Sequence, residues 1–119
     1  MGRLCTVCVL YFSNRALALG GSSHAEGVFT TASNVQAHAE GRFTIAEGQQ
    51  AHAEGSYTKA SGNFSHAQGK FSIASGTASH AAGFNSLASG EMSFIHSYNS
   101  YVESNYSSIL GGFSNRLNL

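Results

Sequence analysis

The chain has 119 residues and no net charge, with six Lys and Arg balanced by six acidic residues that are all Glu. Its basic residues, Arg3, Arg15, Arg42, Lys59, Lys70 and Arg116, are scattered singly, so no basic stripe exists to neutralise phosphates and nucleic acid is excluded as a partner. Much of the 42% hydrophobic content is alanine and aromatic residues, without Trp or Pro; at about 25 cal/mol per Å² such a core stabilises a lone globule poorly, and oligomerisation is expected to supply the missing burial.

Residues 1–15 read as an N-terminal strand or capping segment. Arg3, the apolar run Leu4 to Phe12 and Ala16-Leu17-Ala18 imitate a secretory signal. Asn14-Arg15 fits a cleavage region badly, and Ala18 and Gly20 already stand in phase with Ala32 and Asn34. No stretch is long enough to span a membrane as a helix. Cys5 and Cys8 form a lone C-x-x-C; zinc would require a second ligand pair, so both are expected to be structural.

From residue 16 to 90 the sequence keeps a period of fourteen. His24, His38, His52, His66 and His80 mark it, each followed by alanine and, three places on, by Gly27, Gly41, Gly55, Gly69 and Gly83. The second half of each unit is also glycine-punctuated, as in Ile45-Ala46-Glu47-Gly48 and Ile73-Ala74-Ser75-Gly76. Such a glycine load excludes helix. Around Ser65-His66-Ala67-Gln68 small and larger side chains alternate with period two, the mark of a strand. Two short strands and two turns per fourteen residues predict an all-β fold, a parallel β-solenoid whose coils stack about 4.8 Å apart.

The alternation assigns faces. Ala25, Ala32, Ala39 and Ala46 with their equivalents point inward, joined by Thr30, Thr44, Thr58, Ser65 and Ser79. Phe29, Phe43, Tyr57 and Phe71, also fourteen apart, are expected to stack as a structural ladder beside one turn. Residues 91–119 read as a modified continuation of the solenoid. There Ile95, Val102 and Ile109 replace the inward alanines, and Asn99, Asn105 and Asn115 fall near turns, which asparagine tolerates.

Ser22-Ser23-His24-Ala25-Glu26-Gly27, Ser65-His66-Ala67-Gln68-Gly69 and Ser72-Ile73-Ala74-Ser75-Gly76 resemble the YadA-like head repeats of trimeric autotransporter adhesins and related repeats of phage and viral tail fibres. The resemblance implies a left-handed parallel β-roll assembled as a homotrimer, with the residues flanking the alanines at the trimer seam. At those places this chain carries His24 and Glu26, His38 and Glu40, His52 and Glu54, then His66 and His80, so a polar seam is expected. The sequence shows no long heptad stalk and no barrel-forming segment of alternating apolar residues. The expectation is therefore a fragment, or a small fibre protein made without secretion, on a virion or a cell surface.

Stacking would place the five imidazoles in a column. Equivalent rings at equal spacing specify no single metal site, so no metal or cofactor is expected, and each ring is instead predicted to bond a Glu or backbone group across the interface. Protonating stacked imidazoles, whose reference pKa is about 6.5, should repel. Catalysis is not expected: Ser, His and Glu recur as repeat equivalents, whereas a triad or carboxylate pair needs one privileged set. The expected function is a non-enzymatic attachment module for a host-cell glycan or protein, with a virion or filament cement protein as the alternative. Tyr98, Tyr101 and Tyr106 in the less regular end are the expected partner contacts.

Overall fold

The computed structural model describes residues 15–118. Most of the N-terminal cap expected over 1–15, and Cys5 and Cys8 with it, lies outside the described residues. In chain order the strands are β1 Ala16–Ala18, β2 His24–Val28, β3 Thr30–Ala32, β4 His38–Arg42, β5 Ile45–Ala46, β6 His52–Ser56, β7 Lys59–Ala60, β8 His66–Ala67, β9 Ile73–Ala74, β10 His80–Phe84, β11 Leu87–Ala88, β12 Phe94–Tyr98, β13 Tyr101–Val102, β14 Ser108–Ile109 and β15 Arg116–Leu117. The odd-numbered strands make one eight-stranded sheet and the even-numbered strands a seven-stranded sheet, both in sequence order. Every pairing is parallel and joins residues one repeat apart, such as His38 with His52 and Ile45 with Lys59. The step lengthens only at the last described coil, where β13 meets β15 with Tyr101 opposite Arg116 and an isolated bridge joins Tyr98 to Phe113, each one residue further along.

The fold is therefore the expected parallel β-solenoid of fourteen-residue coils, 46 Å long and only 13 Å across its thinnest direction. Alanine sets that thinness. Ala25, Ala39, Ala53, Ala67 and Ala81 from one sheet, with Ala32, Ala46, Ala60, Ala74 and Ala88 from the other, are fully buried between the layers. Serine closes the turns from within: the hydroxyls of Ser23, Ser65, Ser79 and Ser93 each donate to the carbonyl three residues earlier, at 2.6–2.7 Å.

Glycine does only part of the turning. Gly41 has φ +112°, and a Cβ there would strike the backbone oxygen of Gly55 in the next coil, so close stacking requires its absence. A second left-handed residue, which is not glycine, recurs every seven positions from Ser22 through Phe29, Gln36, Phe43, Gln50 and Tyr57 to Tyr106, with φ between 52° and 62°. Its role is in the hydrogen bonds. Strand amides donate forward to the following coil, as His24 does to Ala37, whereas these residues donate backward, Phe43 to Val28 and Gln50 to Val35, at 2.8–2.9 Å. Each turn thus ties its coil to both neighbours, at a conformational cost of about 1–2 kcal/mol per left-handed residue.

Candidate functional site: a histidine and glutamate face

The even-numbered strands build one outer face. Because side chains alternate across a strand, the alanine of each His-Ala-Glu segment goes inward while His and Glu both go outward, and parallel register aligns each type into a column. His24, His38, His52 and His66 pair in order, as do Glu26, Glu40 and Glu54. Imidazole centroids along the column are 4.5–4.8 Å apart. The rings of His38, His52 and His66 lie nearly parallel, whereas His24 and His80 turn edge-on to their neighbours. His80 then stacks on Phe94 at 4.6 Å. The column spacing thus agrees with the sequence expectation.

The polar bonds run within the chain, from one coil to the next. Nε2 of His52 lies 3.3 Å from Oε2 of Glu40, and Nε2 of His66 lies 3.1 Å from Oε2 of Glu54. Sequence reasoning missed this reach because it depends on side-chain direction; the signal was the Glu two places after His24, His38 and His52, on the same face. Glu26 breaks the pattern by turning toward its own coil, 3.7 Å from His24. Nε2 of His38 is consequently buried without a hydrogen-bond partner.

Burial, followed by the charge of His52, holds the His38 imidazole below its ordinary pKa, although Glu40 and Glu26 act the other way. His80 is likewise held low by burial and then by His66 and His96. For Glu54 burial acts to raise the pKa, but the hydrogen bond from His66 and the charges of His52 and His66 prevail, so its carboxyl titrates lower than usual. Three sets of side chains bring ligand atoms within 4.8 Å of one another: His24, Glu26 and His38; His38, Glu40 and His52; His52, Glu54 and His66. Beyond Glu54 the carboxylate column ends, continuing in register through Ala82 to His96.

The odd-numbered strands present a different outer face. Thr31, Ile45, Lys59, Ile73, Leu87, Tyr101 and Arg116 follow one another in register. Ile73 of β9 is exposed, as is Leu17 at the far end of the same column in β1. At one edge the rings of Phe29, Phe43, Tyr57 and Phe71 stack at 4.8–5.2 Å as expected, with Arg42 over Phe43 and Lys70 over Phe71.

The three tyrosines occupy separate surfaces. Tyr98 extends the aromatic edge between Phe84 and Phe113, and Tyr101 stands on the odd-stranded face beneath Arg116. Tyr106 sits at the opposite turn, 70% exposed, its hydroxyl 3.4 Å from Glu91.

Comparison with curated proteins gives no match. Residues 14–33, 53–79 and 67–90 match the YadA head domain repeat, and the described coils run without interruption through the residues between these segments. Over those matched segments the solenoid carries YadA head domain repeats.

Proposed function

We propose that this chain is a non-enzymatic, trimeric attachment module, carried on a cell surface or a virion fibre, whose outer surfaces engage a glycan or protein of the host. The observation that carries the reading is the match of residues 14–33 and 53–90 to the YadA head domain repeat, within coils that stack without a break. Adhesin heads use such stacks as rigid, extended surfaces. Many weak, equivalent contacts along three chains would sum by avidity. The thin alanine core supports assembly, because a coil filled with methyl groups buries little apolar area on its own.

The trimer seam is assigned to the histidine and glutamate face, where the imidazoles are already ordered by stacking and His38 lacks a partner that a neighbouring chain would supply. The exposed Ile73 and Leu17 favour a second placement, on the odd-stranded face. Gln68→Arg and Ile73→Arg separate the two, since an arginine forced into a packed seam disrupts it. Loss of trimer mass in light scattering for Gln68→Arg alone supports the first placement, and loss for Ile73→Arg alone supports the second. A monomeric parent chain would overturn the assembly. Glycan-array and cell-binding measurements on the trimer test attachment; incorporation into particles with no receptor binding would favour the cement role instead.

A further inference from the structure

We propose that the histidine and glutamate face binds divalent transition-metal ions of the zinc type, two per chain, one held by His24, Glu26 and His38 and the other by His52, Glu54 and His66. Equal spacing of imidazoles alone argues against a site. The folded chain adds a carboxylate beside each pair of rings, so each set offers two nitrogens and one oxygen. That donor set suits zinc and its neighbours, with the fourth position left to water. Bonds of about 2.0–2.2 Å in tetrahedral geometry place ligand atoms about 3.4 Å apart. The contacts between Nε2 and carboxylate oxygen are 3.7 Å at His24 and Glu26 and 3.1 Å at His66 and Glu54. The remaining ring of each set, His38 or His52, lies within 4.8 Å, and the His52 side chain, 34% exposed, has room to tilt inward. The buried Nε2 of His38, without a partner, gains one.

The count follows from sharing. His38 belongs to the first and middle sets and His52 to the middle and last, and a neutral imidazole presents only one acceptor nitrogen. Filling the two outer sets leaves the middle one with Glu40 alone. All three sets are complete within one chain, so binding requires no ligand from a neighbouring chain, although on the first placement of the seam the metal would compete with that chain for His38.

The test is a ZnCl2 titration of the full chain, made without a histidine tag and with Cys5 and Cys8 alkylated, read by calorimetry and native mass spectrometry. Two ions per chain are expected, and EDTA should remove both. Glu40→Gln touches only the middle set and should still bind two. His38→Ala and His52→Ala should each bind one, and the double variant none, with affinity reduced at least about tenfold. If the double variant does not fold by circular dichroism, Glu26→Gln with Glu54→Gln serves instead; it keeps every ring and should retain one ion, in the middle set. Absence of zinc binding in the parent chain, three ions per chain, loss of binding in Glu40→Gln, or undiminished binding in the double variants would each overturn the proposal.

Discussion

The coils before Phe84 and those after it share a backbone register but fill it differently. In the earlier coils the inward residues are alanines. In the later ones Ile95, Val102 and Ile109 take the same places, directly in register with Ala81 and Ala88 at the junction. Gly27, Gly41, Gly55, Gly69 and Gly83 give way to Ser97. At the aromatic edge the left-handed position passes from Phe29, Phe43, Tyr57 and Phe71 to Asn85 and Asn99. These asparagines join side chain to side chain at 2.6 Å. The rings move back one residue to Phe84, Tyr98 and Phe113, keeping a spacing of 5.0–5.1 Å. The longer last step contains Gly111 and Gly112, both at positive φ. The repeat therefore conserves backbone geometry and columns of like residues, while the residue that meets each demand can change.

The sharpest way to break that contrast is to exchange the turn residues. Gly55→Ser would place a Cβ against the backbone oxygen of Gly69 at a left-handed φ of +107°, and should cost more than about 3 kcal/mol or prevent folding. Ser97→Gly removes a buried hydroxyl that has no partner and should change stability by less than about 1 kcal/mol. Denaturant unfolding at fixed protein concentration measures both. Equal effects would show that the two regions do not differ in how closely their turns stack.

Exchanging the fillings comes next in size. Ile95→Ala should cost about 2–5 kcal/mol, because Ile95 is fully buried and its removal leaves a cavity. The reverse change, Ala53→Ile, forces a branched side chain into a methyl-sized space and should cost about 1–3 kcal/mol. If Ala53→Ile melts at the parent temperature, the alanine coils are not narrow.

The surroundings of the histidine column also change in charge as it approaches that junction. His38 faces His24, Glu26, Glu40 and His52, whereas His80 faces His66, His96 and Glu54. Both are held below the unfolded value of about 6.5, so between the folded and unfolded values the unfolded chain binds more protons. The stability tied to their neutral form is complete above about pH 6.5 and is lost as pH falls through the folded values. Glu54, also held low, adds stability that is lost only in stronger acid. In EDTA the melting temperature should therefore be lower at pH 5 than at pH 8. Gln68→Glu places a carboxylate one repeat beyond Glu54, positioned toward His80 as Glu54 is toward His66, and should flatten that fall. An identical slope in parent and variant would show that His80 does not contribute.

The solenoid was legible because its demands fall on residue types that few others can meet. Alanine fits the core, glycine allows the closest approach of coils, and both recur with the histidines at one period. The other left-handed position was not legible, since Gln36, Gln50, Phe64, Ala78, Met92 and Tyr106 share no chemistry and the demand on them is purely of backbone direction. On the candidate face, the columns followed from alternation alone. The reach of Glu40 to His52 and the stranded nitrogen of His38 did not, because both depend on side-chain torsions that leave no periodic trace.

Ala78 gives the smallest and cleanest measure of what the backward-donating turn costs. It has φ 57° and is exposed, and its amide donates to Asn63 at 2.8 Å. Its methyl group therefore contributes almost nothing but left-handed strain. Ala78→Gly keeps the hydrogen bond, removes the steric penalty of about 1–2 kcal/mol, and returns part of it as extra freedom in the unfolded chain. A net gain of about 0.5–1 kcal/mol is expected. Asn85→Ala, at the left-handed position of the opposite, aromatic edge, exchanges a residue suited to this conformation for one that is not, and should lose a similar amount. If Ala78→Gly stabilises the chain while Asn85→Ala is neutral, the asparagines are there for their side-chain ladder and not for the turn. If neither changes the unfolding midpoint, the backward hydrogen bond already outweighs the strain, and the identity of the residue at this position is free.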